Sequence, residues 1–426
     1  MNARIRMIMK ISKYCLLLIS IIGLLVSLPH PALSQLVLGQ YEDEAPLQTW
    51  NIFGITTAAS LSRGSTSFTL SDGSAASLSN PALLAKLPNF TLSFSGSYRA
   101  TTMNKYGIVN TGAFSSEQNS AFGLYSGDFA GISLNIRGWA FSLSVGVQEN
   151  YTRPEVNWDF EFAGQLYYSI TFRQTGILIN YNFSLAKKIT NGIALGLGLN
   201  LIQGTYEKHL EEQWIQADQT IFDDKAHDFY GFYINGGIVL DILENFSVAA
   251  VVRSPYKKNA DSESLYRFFD STIDTDIKID SSETSIYHQP LMIGLGLQSN
   301  ILPSLTIAAD ASYLNWSNYT VHYFGEILRR DFKDVFRLNA GLEYTNEYPL
   351  FNTILDVPLR LGIIYDPQPM KNPNSYYFCY TLGAGIRFRN VHLDVGYISG
   401  KEYGSGFNLA FHRIFLTFNF LIGQTI

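Results

Sequence analysis

From Tyr377 to Phe388 the chain alternates: Phe378, Tyr380, Leu382, Ala384, Ile386 and Phe388 fall on one side, and Cys379, Thr381, Gly383, Gly385 and Arg387 on the other. Successive side chains of a β-strand point to opposite faces, so this period of two makes one face greasy and the other small or polar. The same division recurs in 334–345, 354–366, 390–399 and 411–422. About fourteen such segments can be marked. They span 90–99, 131–137, 139–148, 174–187, 192–206, 227–241, 245–254, 284–299, 303–316, 334–345, 355–366, 377–388, 390–399 and 411–422. After Ser34 no run of 18 apolar residues appears, which excludes a helical membrane protein.

The connections alternate too. Short ones fall at Arg137-Gly138, Thr190-Asn191-Gly192, 243–245, 300–303 and Asn390. Between them lie 100–130, 149–173, 207–226, 255–283, 317–333, 367–376 and 400–410, with 346–354 of medium length. Tight turns at one end and larger loops at the other are the habit of an outer-membrane barrel. A large soluble β-sandwich also alternates, but it would carry Lys and Glu on its polar face, where this chain has Gly, Ser, Asn and scattered Arg and Asp. Charged residues make up only 15% of the chain, against about 25% in soluble domains, and aromatics reach 14%. That balance suits an apolar outer face. The expected fold is all-β, a transmembrane antiparallel barrel of about fourteen strands. Tyr98, Tyr151, Tyr206, Tyr313, Tyr365 and Tyr397, near segment ends, are candidates for the interfacial girdles.

With the greasy face in lipid, the inward face carries Arg253, Asp310, Arg337, Glu343, Arg360, Asp366, Arg387, Asp394 and Arg413. Mixed signs suggest paired charges that hold a plug or brace the wall, whereas an ion pore would show a ring of one sign. No catalytic constellation emerges. The seven histidines have no metal spacing or partnership with Ser and Asp, and the chain reads as a non-enzyme without cofactor or metal. The acidic stretches 218–228 and 270–280 offer oxygen ligands for calcium but lack the glycine turn of a calcium loop, and read as solvated loops.

Residues 1–34 read as a signal peptide: Arg4, Arg6, Lys10 and Lys13, an apolar run from Tyr14 to Leu28, then Ala32-Leu33-Ser34. The formal net charge is −6, and that leader carries basic but no acidic residues, so the exported chain is more acidic still and offers no nucleic-acid surface. Only Cys379 follows the leader, so no internal disulfide can staple the exported chain.

The order of the more specific pieces completes the reading. "DGSAASLSNPALLAKLPN" (Asp72 to Asn89), "RSPY" (Arg253 to Tyr256), "ADASYLNWSNY" (Ala309 to Tyr319) and "VPLRLGIIYDPQP" followed by "YTLGAGIRFRNVHLDVGY" lie along nearly the whole exported chain. In this the chain resembles the FadL family of outer-membrane long-chain fatty-acid and hydrocarbon transporters, although Leu83 stands where the family pattern has glycine. The resemblance implies a plug over 35–88, with Asp72, Gly73, Asn80, Pro81 and Ala82 inside the lumen, and a barrel over 89–426. It implies a lateral exit at a kink in the third strand, where Gly138 and Gly146 would ease the bend.

Candidate apolar contacts for cargo are the loop residues Tyr106, Phe114, Phe122, Tyr125, Phe129, Phe160 and Phe162, with Tyr167 and Tyr168. The expected function is passive transport of hydrophobic small molecules by a monomer set in the lipid of a Gram-negative outer membrane. The alternative is a docking component in protein secretion or surface assembly.

Overall fold

A computed structural model describes residues 57–103, 114–115, 121–162, 164–323, 326–329, 331–350, 353–372, 374–404 and 409–425. The signal peptide, the first part of the expected plug and Tyr106 lie outside these residues. The wall begins with β1 (Pro88–Met103), followed by the short β2 (Phe114–Ser115), then β3 (Ala121–Ile136), β4 (Trp139–Asn150), β5 (Arg153–Phe162), β6 (Gln165–Thr190), β7 (Ile193–Trp214) and β8 (Gln219–Leu243). It continues with β9 (Phe246–Arg253), β10 (Tyr256–Asp270), β11 (Thr275–Gln289), β12 (Met292–Leu302), β13 (Leu305–Leu314), β14 (Thr320–Tyr323) and β15 (Glu326–Arg329). It ends with β16 (Val335–Leu350), β17 (Thr353–Pro367), β18 (Tyr376–Phe388), β19 (Val391–Tyr403) and β20 (Leu409–Thr425).

Several of these strands are halves of one stave. The pairs β2 and β3, β4 and β5, β9 and β10, β11 and β12, β13 and β14, and β15 and β16 each belong to one stave, because both members pair with the same neighbouring stave. Counted as staves, the wall is a closed antiparallel barrel of 14, sealed where β1 pairs with β20. Closure satisfies every edge, which a sheet in hydrocarbon requires.

The alternation places the lipid face. Along β7, Leu195, Leu197, Leu199 and Leu201 are 42–59% exposed, while Ala194, Asn200 and Ile202 are buried. Phe141, Phe183, Phe232, Leu295, Phe336, Leu361, Tyr380 and Leu416 extend this band around the barrel. In water such a surface would aggregate; in a bilayer it is solvated. Leu197→Arg should therefore cost about 2–4 kcal/mol of folding free energy in lipid bilayers, measured by denaturant titration, and Leu197→Ala much less. Equal costs for the two would mean that this face does not meet lipid.

The strands run further than the alternation suggests. Segments expected to be outer loops at 149–173, 207–226 and 255–283 are mostly strand: β6, β7, β8, β10 and β11 continue past the lipid band as paired hairpins. Above the membrane both faces of a hairpin meet water, so the hydrophobic contrast fades although the ladder persists. The medium loop at 346–354 is also mostly strand, since β16 and β17 pair as far as Leu350 and Thr353. At the other end, β3 and β4 join through Arg137 (φ 52°) and Gly138 (φ 79°), the positive pair of a tight hairpin turn.

Of the proposed girdle tyrosines, Tyr365 lies on the outer face, and Tyr313 packs on the exposed ring of Phe336. Tyr151 and Tyr206 do not join them: both are turned into the lumen and fully buried.

Candidate functional site

The lumen is layered, and β7 gives the scale. Gly196 faces the N-terminal segment, Asn200 a polar ladder, Ile202 and Tyr206 an aromatic cluster, and Lys208 the outer mouth.

The lowest layer is the segment 57–87, which forms α1 (Ala58–Ser62), α2 (Ala76–Ser79) and 3-10 turns at Gly73–Ala75 and Pro81–Lys86. These elements are too short to stand alone. Local caps start them: Thr57 and Ser60 form a reciprocal capping box, and the Asn80 side chain accepts the Ala82 N–H at 3.1 Å and donates to the Phe68 carbonyl at 2.6 Å. Pro81 sits at the first position of its turn, where a missing N–H costs nothing. Leu83, in place of the family's glycine, is buried within that turn and not at a positive φ.

The segment lies against wall backbone, because the wall is glycine where the segment approaches. A Cβ on Gly196 would come within 2.3 Å of the Pro81 carbonyl carbon and the Ala82 nitrogen. One on Gly362 would come within 2.1 Å of the Gly64 nitrogen. Leu83, Leu84 and Ala85 fill the space against Ala140, Ala186, Ala194 and Val239.

Charge fixes it in place. Arg63, 2% exposed, donates from Nη2 to both oxygens of Asp72 at 2.7 and 2.9 Å, and from Nη1 to Glu343 at 2.7 Å. Glu343 also accepts from Arg360 at 2.6 Å and from Arg387 at 2.8 Å, and Arg360 donates to Asp394 at 2.6 Å. Three guanidinium groups thus meet three carboxylates. Burial alone would lower the Arg63 pKa, but Asp72 and Glu343 outweigh it and hold the cation above its ordinary value.

The other inward charges form separate contacts. Asp310 accepts the Ser67 and Phe68 N–H groups at 2.7 and 3.2 Å, Arg413 donates to Asp128 and Ser97, and Arg337 stands 4.0 Å from Asp366. Arg253 lies 5.9 and 5.7 Å from the Tyr233 and Tyr256 rings. Beneath the segment a cavity of about 400 Å³ is lined by Asp72, Glu343, Arg387, His392 and Asp394 together with Leu70, Leu87 and Leu421, among others.

Above the segment, Asn182 and Asn180 donate to Asn200, Asn200 donates to Asn235, and Asn235 donates to the Ser77 carbonyl at 3.0 Å. The ladder gives way to an apolar cluster of Tyr151, Leu178, Ile202, Tyr206, Phe229, Tyr233, Tyr256, Tyr287, Trp316, Tyr319 and Phe332. Ring pairs such as Tyr151 with Tyr206, edge-on at 5.5 Å, knit it together.

This cluster sits at the height where the staves break. The breaks fall at Tyr151-Thr152, Ser254-Pro255, Pro290-Leu291, 315–319 and 331–334. "RSPY" and "LNWSNY" are therefore stave breaks. In the third stave the ladder slips one residue at Gln148, then parts at Tyr151. The slip reverses which face follows, so Tyr151 points inward. The break lies at neither proposed glycine: Gly138 is in the turn, and Gly146 pairs regularly with Phe129 and Asn180.

One ion pair ties this break to β10. Lys258, fully buried, donates to Glu149 at 3.2 Å and to the Tyr151 hydroxyl at 3.3 Å, with its Nζ 4.6 Å from the Phe229 ring. Tyr151 in turn donates to Glu149, and Gln148 to Tyr256.

The predicted cargo contacts are brought together only in part: Phe114 is the ladder partner of Phe162, and Phe160 that of Tyr168. Phe114, Phe122, Phe160 and Phe162 lie on strands, not loops. Tyr125 is 86% exposed on the outer surface beside Tyr98, and Phe129 packs on Ala75 and Leu78. The aromatic cluster was missed, although simple alternation along β7 marks Tyr206 as inward. The acidic stretches are hairpin arms: Asp223 accepts from Lys208, Asp276 pairs with Arg267, and hydrogen bonds from Thr272 and Gln219 hold Asp270 below the usual carboxylate range. Among the described residues no group of three metal-ligating side chains occurs.

Residues 50–408 match the family model described as outer membrane protein transport protein (OMPP1/FadL/TodX). Outer membrane protein P1 of Haemophilus influenzae is 22% identical over 390 residues, covering 78% of this chain and 82% of its own. Among solved structures, a FadL homologue from Pseudomonas aeruginosa superposes with a TM-score of 0.65 at 14% identity, covering 86% of this chain and 99% of that one. The toluene transporters TbuX of Ralstonia pickettii and TodX of Pseudomonas putida each give 0.60 at 12% identity, covering 87% of this chain and 99% and 98% of their own.

Proposed function

The chain belongs to the OMPP1/FadL/TodX family of outer membrane transport proteins, and from that premise we propose that it passes hydrophobic small molecules, long-chain fatty acids or hydrocarbons, through the lumen and out sideways. It is an integral β-barrel of the outer membrane. The observation that carries the proposal is the aromatic cluster: an inward-facing apolar surface, set where the wall breaks, above a charged floor.

Apolar cargo gains about 0.8 kcal/mol per CH₂ removed from water, enough to draw an alkyl chain past the polar mouth onto these rings. Continuing down the axis would take it across the asparagine ladder and the arginine–carboxylate network, which offer no apolar contact. The break at 148–152 is the nearer way out, since beyond it lies the lipid. Residues 35–88 act as the plug, 1–34 as the signal peptide and 89–426 as the barrel, with one chain forming a complete unit. The route needs neither catalysis nor a cofactor.

Uptake into proteoliposomes tests this. Labelled palmitate and toluene should enter faster than into protein-free vesicles, and Phe229→Asp, which places a charge among the rings, should abolish most of the difference. Equal rates with and without protein for every cargo would defeat the proposal, and stable co-purification with a secreted protein would favour the docking role instead.

A further inference from the structure

A polar row with a cation at each end crosses the outward face of four adjacent strands. β10, β11, β14 and β15 pair in register so that Lys257 stands opposite His288, His288 opposite Thr320, and Thr320 opposite Arg329. Their chain neighbours Tyr256, Lys258, Tyr287, Tyr319 and Val321 are buried in the lumen, so alternation turns the row outward. Lys257 and Arg329 are exposed, and His288 partly so. His322, two residues further along β14, brings its ring to 5.2 Å from that of His288.

The row lies level with the exposed Phe232 of β8, with the exposed Ile234 and Ile293 on its membrane side. Among the described residues no carboxylate pairs with any of these cations. Acids in this region are engaged elsewhere: Asp261 accepts from Thr284, Asp331 pairs with Lys371, and Asp334 accepts from Tyr313, Asn315 and the Ser317 N–H.

We propose that this row binds the phosphate groups of a phosphorylated glycolipid in the outer leaflet. Uncompensated cations beside hydrocarbon are costly, and an anionic headgroup whose acyl chains lie along the band removes that cost. Strands are spaced about 4.8 Å apart, so Lys257 and Arg329 stand about 15 Å from each other. The site is a rail suited to a headgroup with more than one phosphate, and too long for a single free ion. Arg329 brings a fork, Lys257 a point charge and Thr320 a hydroxyl donor. The assignment is independent of what the lumen carries.

Native mass spectrometry of the full chain in non-ionic detergent tests it, with three probes: bis-phosphorylated lipid A, the same lipid dephosphorylated, and inorganic phosphate. The unmodified protein should retain one phosphorylated lipid and release its dephosphorylated counterpart. Lys257→Gln combined with Arg329→Gln should weaken retention about 25-fold, at about fivefold per cation, while Lys257→Arg keeps it. Equal retention of the two lipids by the unmodified protein would overturn the proposal without any variant. So would an unchanged, heat-modifiable double variant. Displacement of the lipid by inorganic phosphate at equal concentration would make the row a simple anion site and overturn the lipid assignment.

Discussion

Deleting residues 35–88 should leave a heat-modifiable barrel whose conductance to small polar solutes rises on the order of tenfold or more. The wall does not need the segment to close, because its ladder runs strand to strand through all 14 staves. It does need something to fill it. Small barrels fill their interior with side chains, but larger ones leave a lumen, and here the inward positions facing the segment are Gly196, Gly237, Gly341, Gly362, Gly383 and Gly396. Taking the segment away exposes these glycines together with Glu343, Arg360, Arg387, Asp394, Asn200 and Asn235, a lining that water wets readily.

The aromatic cluster stands as a second barrier above it, yet it draws on one side of the barrel, from the third stave round to β16. The opposite side at comparable heights carries Asp128, Asp366, Glu402 and Arg413. Those charges stand among Ile364, Ile398, Phe411 and Phe415, so the way past the rings is polar only in part. Single-channel recording in planar bilayers is the measurement. Conductance unchanged by the deletion would mean that the cluster or the outer hairpins seal the barrel and that the segment is not its plug.

How much of this could be read beforehand follows from what each feature depends on. The staves were legible because lipid demands apolar side chains outside and the crowded lumen demands small or polar ones inside; the segments marked at 334–345, 355–366 and 377–388 are the membrane portions of β16, β17 and β18. The inward face of Glu343, Arg360 and Asp394 followed from the same parity. Their partners did not, since pairing depends on register and closure, and Arg63 meets Glu343 across 280 positions of chain.

The hairpin arms were hidden for a different reason. In "YKKNADSESLYRFFD", the whole of β10, both faces above the lipid band are polar, so a strand reads as a loop. Tyr151 was misplaced by one residue of slip at Gln148, which no local pattern announces. The Glu149–Lys258 pair needs both that slip and the closure of the lumen, and so was out of reach.

Arg63→Ala should loosen the plug by about 3–5 kcal/mol while leaving the barrel folded. Arg63 is one of three cations balancing Asp72, Glu343 and Asp394, and it alone reaches across from the segment to the wall in this network. Without it Glu343 keeps Arg360 and Arg387, but Asp72 loses the guanidinium that holds both its oxygens. The cost is that of a buried anion left uncompensated, not the attraction of a surface pair.

Arg63→Lys should recover part of the loss, since an ammonium supplies the charge but not the fork that serves two carboxylates at once. Removing Asp72 as well should recover part of it by another route, because the stranded anion is then gone. In a double-mutant cycle the two sites should be strongly coupled. Limited proteolysis within 57–87 reads plug release, and heat modifiability on the same samples reads the barrel. If Arg63→Ala leaves the segment as protected as before, then Leu83, Leu84 and the backbone packing against Gly196 and Gly362 hold the plug, and the buried charges serve only to fix its register.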